Sequence, residues 1–224
     1  MKILSIDTSS DVCSVAILED NNLIKEINKT DSKTHSENLM PLIDTLFKET
    51  NLTLADIQAI ACSIGPGSFT GIRIGIATAK AMAEVMQIPV IGVTSLETLA
   101  YIETTKNNIA TIIDAKNNQV YCGIFNNNYQ LLQDYLADDI TEIIPKLKSH
   151  LPLTLVGNGA IIHKELLGNL EKVTFSIETM QSAFALGKCA FNKWKKGDVL
   201  NADTLLPLYL RKSQAERMKQ DNAK

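Results

Sequence analysis

The stretch Gly65-Pro66-Gly67-Ser68-Phe69-Thr70-Gly71 is the densest concentration of chemically suggestive residues in the chain. Glycine-rich and placed just before a helical segment, it has the form of an anion cradle, in which free backbone N–H groups face a phosphate. It lacks a closing Gly-Lys-Ser/Thr and so is not a P-loop. The same residues also make a rigid turn: Pro66 fixes one dihedral, the glycines relieve crowding, and Ser68 or Thr70 caps the helix. Beyond it, Gly71, Gly75, Ala79 and Ala83 recur every four residues and form a flat stripe on which another backbone can lie, which favours packing over phosphate. Gly157-Asn158-Gly159 poses the same choice between lining a ligand pocket and making a tight turn.

Covalent and metal chemistry find less support. There is no Gly-x-Ser-x-Gly, and no Ser or Cys has a motif-like His partner. His35, His150 and His163 have no close Cys or His companion and read as helix-end or surface residues. Cys13, Cys62, Cys122 and Cys189 are far apart, form no C-x-x-C and sit mostly among Val, Ala and Ile. They read as buried free thiols of a reducing compartment, so the expected location is cytoplasmic.

The elements that must position these residues follow from periodicity and turn residues. Three extended segments at 2–8, 12–19 and 23–29 are separated by Ser9-Ser10-Asp11 and Asn21-Asn22, and a helix follows at 35–50. A strand at 57–64 leads through the glycine-rich loop into a helix ending near 87; a strand at 89–93 and a helix at 95–104 come next. The order then recurs, with strands at 108–115, 119–125 and 129–135, a helix at 138–149 that Pro145 is expected to kink or split, a strand at 153–156 and a further helix. At an offset of 107, Ile6-Asp7 falls on Ile113-Asp114, and Val15 and Ile17 fall on Cys122 and Ile124. The expected fold class is therefore α/β, with two similar β-β-β-α-β-α lobes facing across a cleft, at residues 1–98 and 99–224. The C-terminal basic segment is expected to return toward the first lobe.

Two helices carry more apolar surface than one core needs. Leu39, Met40, Leu42, Ile43, Leu46 and Phe47 cover an arc of about 160° where about 100° suffices. In the second helix only Arg73, Lys80 and Glu84 form a polar strip, so burial almost all round is expected. This excess fits a helical interface. Its expected residues are Leu39, Met40, Ile43 and Phe47 with Arg73, Ile76 and Lys80; the arc's centre turns to the lobe's own core and its edge, Met40 and Phe47, to a partner.

Composition agrees with a folded chain: 224 residues, 45% hydrophobic, 21% charged, net charge -3. That charge gives no global field for nucleic acid or anionic membranes. Residues 188–224 carry nine Lys/Arg against four Asp/Glu and read as a solvated basic tail. The first carboxylate, Asp7, comes too early for a secretory signal. The uncharged stretch 57–72 is too short and too glycine-rich to span a bilayer.

The architecture resembles the actin, sugar-kinase and heat-shock-chaperone ATPase superfamily. Ile3-Leu4-Ser5-Ile6-Asp7-Thr8-Ser9, His35-Ser36-Glu37, the run from Gly65 to Gly75, Ala79-Lys80, Ile113-Asp114-Ala115 with Val120-Tyr121, and Pro207-Leu208-Tyr209-Leu210-Arg211 are similar to the bacterial TsaB (YeaZ) family. The resemblance implies a non-catalytic scaffold subunit of the machinery that forms threonylcarbamoyladenosine beside the tRNA anticodon. It implies a catalytic TsaD-like paralogue and a TsaE-like P-loop ATPase as partners, and a homodimer in isolation through the helical interface. Contact with tRNA is expected to be indirect or through the basic C-terminal segment. Asp7, Thr8, Ser9, Asp114 and Lys116 then stand at phosphate-loop positions, degenerate because Ala115-Lys116 replaces an expected glycine. TsaD-like proteins carry a His-x-x-x-His pair where this chain has Ser95 and Leu99, so no metal and no cofactor are expected. The alternative is a small-molecule kinase or ATPase of the same superfamily.

Overall fold

The computed structural model describes residues 1–30 and 34–211. Its first sheet is built from β1 (Lys2–Asp7), β2 (Cys13–Glu19), β3 (Asn22–Lys29), β4 (Ala59–Ser63) and β5 (Val90–Val93), in the order β3-β2-β1-β4-β5. The β1-β2-β3 meander is antiparallel, whereas β4 and β5 are parallel to β1. Between them run α1 (His35–Thr50) and α2 (Phe69–Met86), and α3 (Ser95–Ala100) follows β5. The second sheet repeats this pattern. Its strands β6 (Asn108–Asp114), β7 (Gln119–Phe125), β8 (Leu136–Asp139), β9 (Leu153–Val156) and β10 (Val173–Phe175) lie in the order β10-β9-β6-β7-β8. Here α4 (Ile140–Lys148) stands in the place of α1, the short α5 (Asn158–Ile162) and α6 (Lys164–Leu167) in that of α2, and α7 (Ala183–Lys195) in that of α3.

The central strands are buried on both faces and mostly apolar because helices cover both sides of the sheets. Leu4, Ile6, Val15 and Ile17 point into the core under α1 and α2, while Ile3, Ala59, Ala61 and Ile91 meet Leu186, Cys189 and Ala190 of α7. Each repeat thus closes the other: α3 packs on β6 and β7, and α7 on β1, β2 and β5. A division at 98/99 falls inside α3. The residues after α7 also return to the first lobe. Leu200 bridges Val90, Leu205 is buried in the first core, and Leu208 N donates to Ile64 O at 2.8 Å. Leu210 then joins the cluster of Leu96, Leu99 and Ile113, so the segment straps the two lobes together.

Four expectations need correction. Segment 129–135 is not the third strand; it pairs with β7 only through the Phe125–Leu131 bridge. Asn126 Oδ1 accepts from the backbone N–H of Asn128 and Gln130, Tyr129 takes φ 61°, and its ring stacks on Tyr101 at 4.2 Å. The turn and aromatic packing hold the segment away from the ladder, and β8 pairs instead. The helix expected from 95 to 104 stops at Ala100. Pro145 lies inside α4 without splitting it. Neither β10 nor α7 was expected.

The first turn of α7 is held from across the lobe boundary. Glu26 of β3 accepts from Ser182 Oγ at 2.7 Å and Phe184 N at 2.9 Å, and Ser14 Oγ accepts from Ala183 N at 2.9 Å. Glu26→Ala should lower stability by about 2 kcal/mol and speed amide hydrogen exchange in that turn, with Glu26→Gln recovering most of the loss. Chemical denaturation with hydrogen exchange checks both.

Candidate functional site

The β1–β2 turn sits directly on the glycines that follow β4. Thr8 Oγ1 donates to Gly71 O at 2.7 Å, and Ser68 N donates to Ser9 O at 2.8 Å. A Cβ at Gly67 would overlap Ser9 O, one at Gly71 would overlap Thr8 O, and one at Gly75 would overlap Thr8 Oγ1. Ser68 Oγ accepts from Gly71 N at 3.2 Å and caps α2. Gly65 O accepts from Ser95 N at 2.8 Å, and Pro66 follows a cis peptide bond. The glycine-rich loop is a packing junction rather than an open cradle, and Thr70 beside it is exposed.

Asp7 is buried at the centre of this junction. Its Oδ1 accepts from Ser9 N at 2.8 Å and Ser9 Oγ at 2.7 Å. Its Oδ2 is buried without a hydrogen-bond partner among the described residues, as is His35 Nδ1. Because a carbonyl only accepts, His35 Nε2 donates to Ser10 O at 2.8 Å, which ties the start of α1 to the same turn. Burial pushes the Asp7 carboxyl up to about 6, against the lowering pull of the Ser9 hydrogen bonds and of His35.

The equivalent turn in the second lobe is closed differently. Asp114 Oδ1 accepts from Lys116 N at 3.1 Å, and Oδ2 pairs with Lys116 Nζ at 3.1 Å. Lys116, Asn117 and Asn118 are consecutive left-handed residues, with φ of 65°, 54° and 61°. That conformation is unfavourable for residues with a Cβ, and Lys116 holds it where its ammonium neutralises Asp114. Asp114 N donates to Asn158 Oδ1 at 3.1 Å, and a Cβ at Gly157, where φ is 106°, would overlap Ile112 O. Gly157 therefore serves close packing against β6. Ser95 shares a hydrogen bond with Ser63 Oγ at 3.0 Å, and Leu99 lies in the core.

The glycine stripe of α2 faces inward, so the outward face of the helix is a different one. Gly71, Gly75, Ala79 and Ala83 are buried, whereas Phe69, Arg73, Ala77, Ala81 and Val85 are exposed; α2 is not buried all round. Next to this ridge lies an apolar groove of about 510 Å³ lined by Met40, Leu54, Met82, Val85 and Met86. Met40 is 52% exposed and Val85 85%. Leu39 and Ile43, expected at an interface, are buried in the lobe's own core at 1% and 3%, and Ile76 is buried too, because the sheet takes the centre of each helical arc. Phe47 is half-buried and packs against that core instead of standing free. Lys80 turns to the C-terminal strap, donating to Asp203 O at 3.1 Å. Arg73 Nε donates to Tyr209 Oη at 3.0 Å, and the guanidinium lies 3.9 Å from the Phe69 ring centroid.

Comparison with known proteins places this geometry. Residues 23–218 match the family model described as TsaD, tRNA N6-adenosine threonylcarbamoyltransferase. The tRNA threonylcarbamoyladenosine biosynthesis protein TsaB of Bacillus subtilis (strain 168) is 32% identical over 222 residues, covering 96% of each chain. The chain belongs to the TsaB family. Among solved structures, YeaZ from Pseudomonas aeruginosa superposes with a TM-score of 0.82 and 27% identity, over 93% of this chain and 99% of that one. A ROK hexokinase from Thermus thermophilus, at 11% identity and a TM-score of 0.52 over 88% of this chain and all of that one, shares the fold alone. The fold is thus that of the actin-like ATPases and sugar kinases, carried by a TsaB-family chain.

Ala77, Ala81, Met82, Val85 and Leu54 went unnoticed in the sequence. The spacing of Ala77 and Ala81 was visible there, but a second small-residue stripe two positions away had the stronger glycine signal.

Two measurements probe this junction. In an open helix Gly→Ala stabilises by about 1 kcal/mol, but Gly71→Ala should destabilise by about 2 kcal/mol because Thr8 O occupies the space; urea denaturation reads the sign. The folded Asp7 carboxyl holds its proton more tightly than the ordinary value of 3.8, so its contribution is fully present below that pH and is lost as pH rises through about 6. Asp7→Asn should therefore stabilise the TsaB-family chain at pH 7, by on the order of 2–3 kcal/mol, and flatten its stability between pH 4 and 6. Melting temperatures across that range check it.

Proposed function

We propose that this chain is a supporting, non-catalytic subunit in the biosynthesis of threonylcarbamoyladenosine on tRNA, working beside a TsaD-like catalytic paralogue. The observation that carries the reading is that both expected phosphate-loop turns are engaged by the chain's own atoms, Asp7 Oδ1 by Ser9 and the Asp114 carboxylate by Lys116. A nucleotide phosphate would have to displace those contacts, and the Thr8–Ser9 turn would have to leave the α2 glycines. The kinase alternative shares only the fold and gains nothing from these turns.

The chain's role is to present a surface. The α2 ridge offers Ala77 and Ala81, small enough for a partner helix to approach closely, beside an apolar groove that accepts large side chains. This face is the docking site for the TsaD-like paralogue, and in its absence for a second copy. A TsaE-like P-loop ATPase completes the assembly. Any contact with tRNA is indirect or through the basic C-terminal segment, whose residues past 211 lie outside the described part of the chain. The protein works in the cytoplasm as two repeats, 1–98 and 99–224, and among the described residues no helix is long and apolar enough to cross a membrane. Ser95 and Leu99 provide no metal ligation, and among the described residues no cluster of His, Cys, Asp or Glu could hold a metal ion.

Reconstitution with the paralogue, the ATPase, threonylcarbamoyl donor and tRNA tests this directly. The chain alone should transfer nothing, and the full set should modify tRNA. Ala81→Arg should leave the melting temperature within a few degrees yet reduce binding of the paralogue at least about a hundredfold, since an exposed helix position tolerates Arg but a close helix contact does not. Transfer by the chain alone, or undiminished binding by the Arg variant, contradicts the scheme.

A further inference from the structure

A cleft of about 400 Å³ lies between the end of β3 and the start of α7. We propose that it binds a free α-amino acid with an apolar side chain, holding the carboxylate on Lys188 and the ammonium on Glu26. The lining includes no residue of α2 and neither Asp7 nor Asp114. Its volume falls within the span of small-molecule sites, about 300–1,000 Å³.

Two opposite charges line the cleft without meeting. Lys188 is partly buried, and its ammonium makes no hydrogen bond or ion pair among the described residues; it lies 4.9 Å from the Phe184 ring centroid. Burial pulls its pKa below the ordinary lysine value, so an anion brought to it would replace solvation that folding has removed. Glu26 is partly buried too. Its three donors, Ser14 Oγ at 3.3 Å, Ser182 Oγ and Phe184 N, all reach Oε1, and Oε2 takes none among the described residues.

The spacing of the two charges selects a zwitterion. Glu26 is pinned to the backbone N–H of Phe184, and Lys188 follows four positions on, about 6 Å along the same face of α7. A lone amine or a lone carboxylate would satisfy one charge and leave the other unpaired. An α-amino acid carries both of the missing partners on one carbon. Glu178, exposed in the lining and without an ion pair among the described residues, adds to the pull on the ammonium end.

Gln181 is an independent sign of a ligand. It precedes the N-cap residue Ser182, lines the cleft and is only 8% exposed, yet its amide makes no hydrogen bond among the described residues. A polar group buried in that way costs stability unless something supplies its partner. The amide offers both a donor and an acceptor, which a carboxylate and an ammonium can take up. Val12, Ile102, Met180 and the Phe184 ring form the apolar wall for the side chain, and Met180, 41% exposed, is free to adapt to its shape.

Isothermal titration calorimetry of the full chain with L-leucine, L-methionine, L-valine and L-phenylalanine tests the site. At least one should bind saturably at a single site per chain. For leucine, isocaproate (no amino group) and isoamylamine (no carboxylate) should each bind about tenfold more weakly or worse, the scale of one lost charged hydrogen bond. Lys188→Met should weaken the amino acid by about the same factor without weakening the amine, while the melting temperature stays level. Gln181→Met should weaken binding yet raise the melting temperature, because it removes an unpaired buried amide. Failure of all four amino acids to bind at millimolar concentration, an acid or amine analogue as tight as its parent, or a Lys188→Met chain with undiminished affinity each overturns the proposal.

Discussion

The seating of the Thr8–Ser9 turn on the glycines of α2 is the constraint from which the rest of the site follows. A backbone turn can lie against a helix this closely only where the helix has no Cβ, and Gly71 and Gly75 provide that space beside Gly67. Once the turn is seated, its hydroxyl and carbonyl groups are committed to α2 and to the loop before it. The space in front of the turn is thereby taken up by the chain itself. The same contact fixes the rotation of α2, so its glycine face is turned to the sheet and the alanine face to solvent.

Electrostatics in the two lobes reach a similar end by different routes. Asp7 is taken out of water and kept by two hydrogen bonds from Ser9, with its proton affinity raised by burial. Asp114 keeps an ion-pair partner, Lys116, in a left-handed turn that glycine would adopt more easily. The lobes are also tied by the exchange of α3 and α7 and by the strap that runs from Leu200 to Leu210. That arrangement fixes the two lobes against each other.

Because the inward and outward faces of α2 are both lined with small residues, its position on the sheet has consequences beyond packing. The inner stripe determines how tightly the first lobe closes on its Thr8–Ser9 turn. The outer one leaves a low saddle between a stacked Phe69–Arg73–Tyr209 cluster and a methionine groove, and the proposed docking of a partner helix depends on it. A change at Gly71 or Gly75 would therefore be felt at the outer surface, through the rotation and height of the helix.

Much of the fold was legible in local sequence. The offset of 107 aligned β1 with β6 and β2 with β7 because buried strands ending in Asp repeat the same apolar pattern, and α1 was bounded correctly by its periodicity. The third strand of the second lobe was misplaced because the aromatic residues of 129–135 suit a strand but are used in packing on α3. α7 escaped notice because its buried face is made of Ala183, Ala185, Gly187 and Ala190, whose small side chains give little amphipathic contrast. The resemblance to the TsaB family rested on short motifs, and those are a local property. What the sequence could not decide was direction. Two small-residue stripes lie on α2, and both Leu39 and Met40 lie on the apolar arc of α1; which of them meets the sheet and which meets solvent depends on contacts between elements that are separate in sequence. The sequence by itself determined the repeat and most of the elements, because each is written within a few neighbouring residues. Only the tertiary structure decided that the glycines hold the chain's own turn and that the alanines face outward, because that orientation is set where Thr8 meets Gly71.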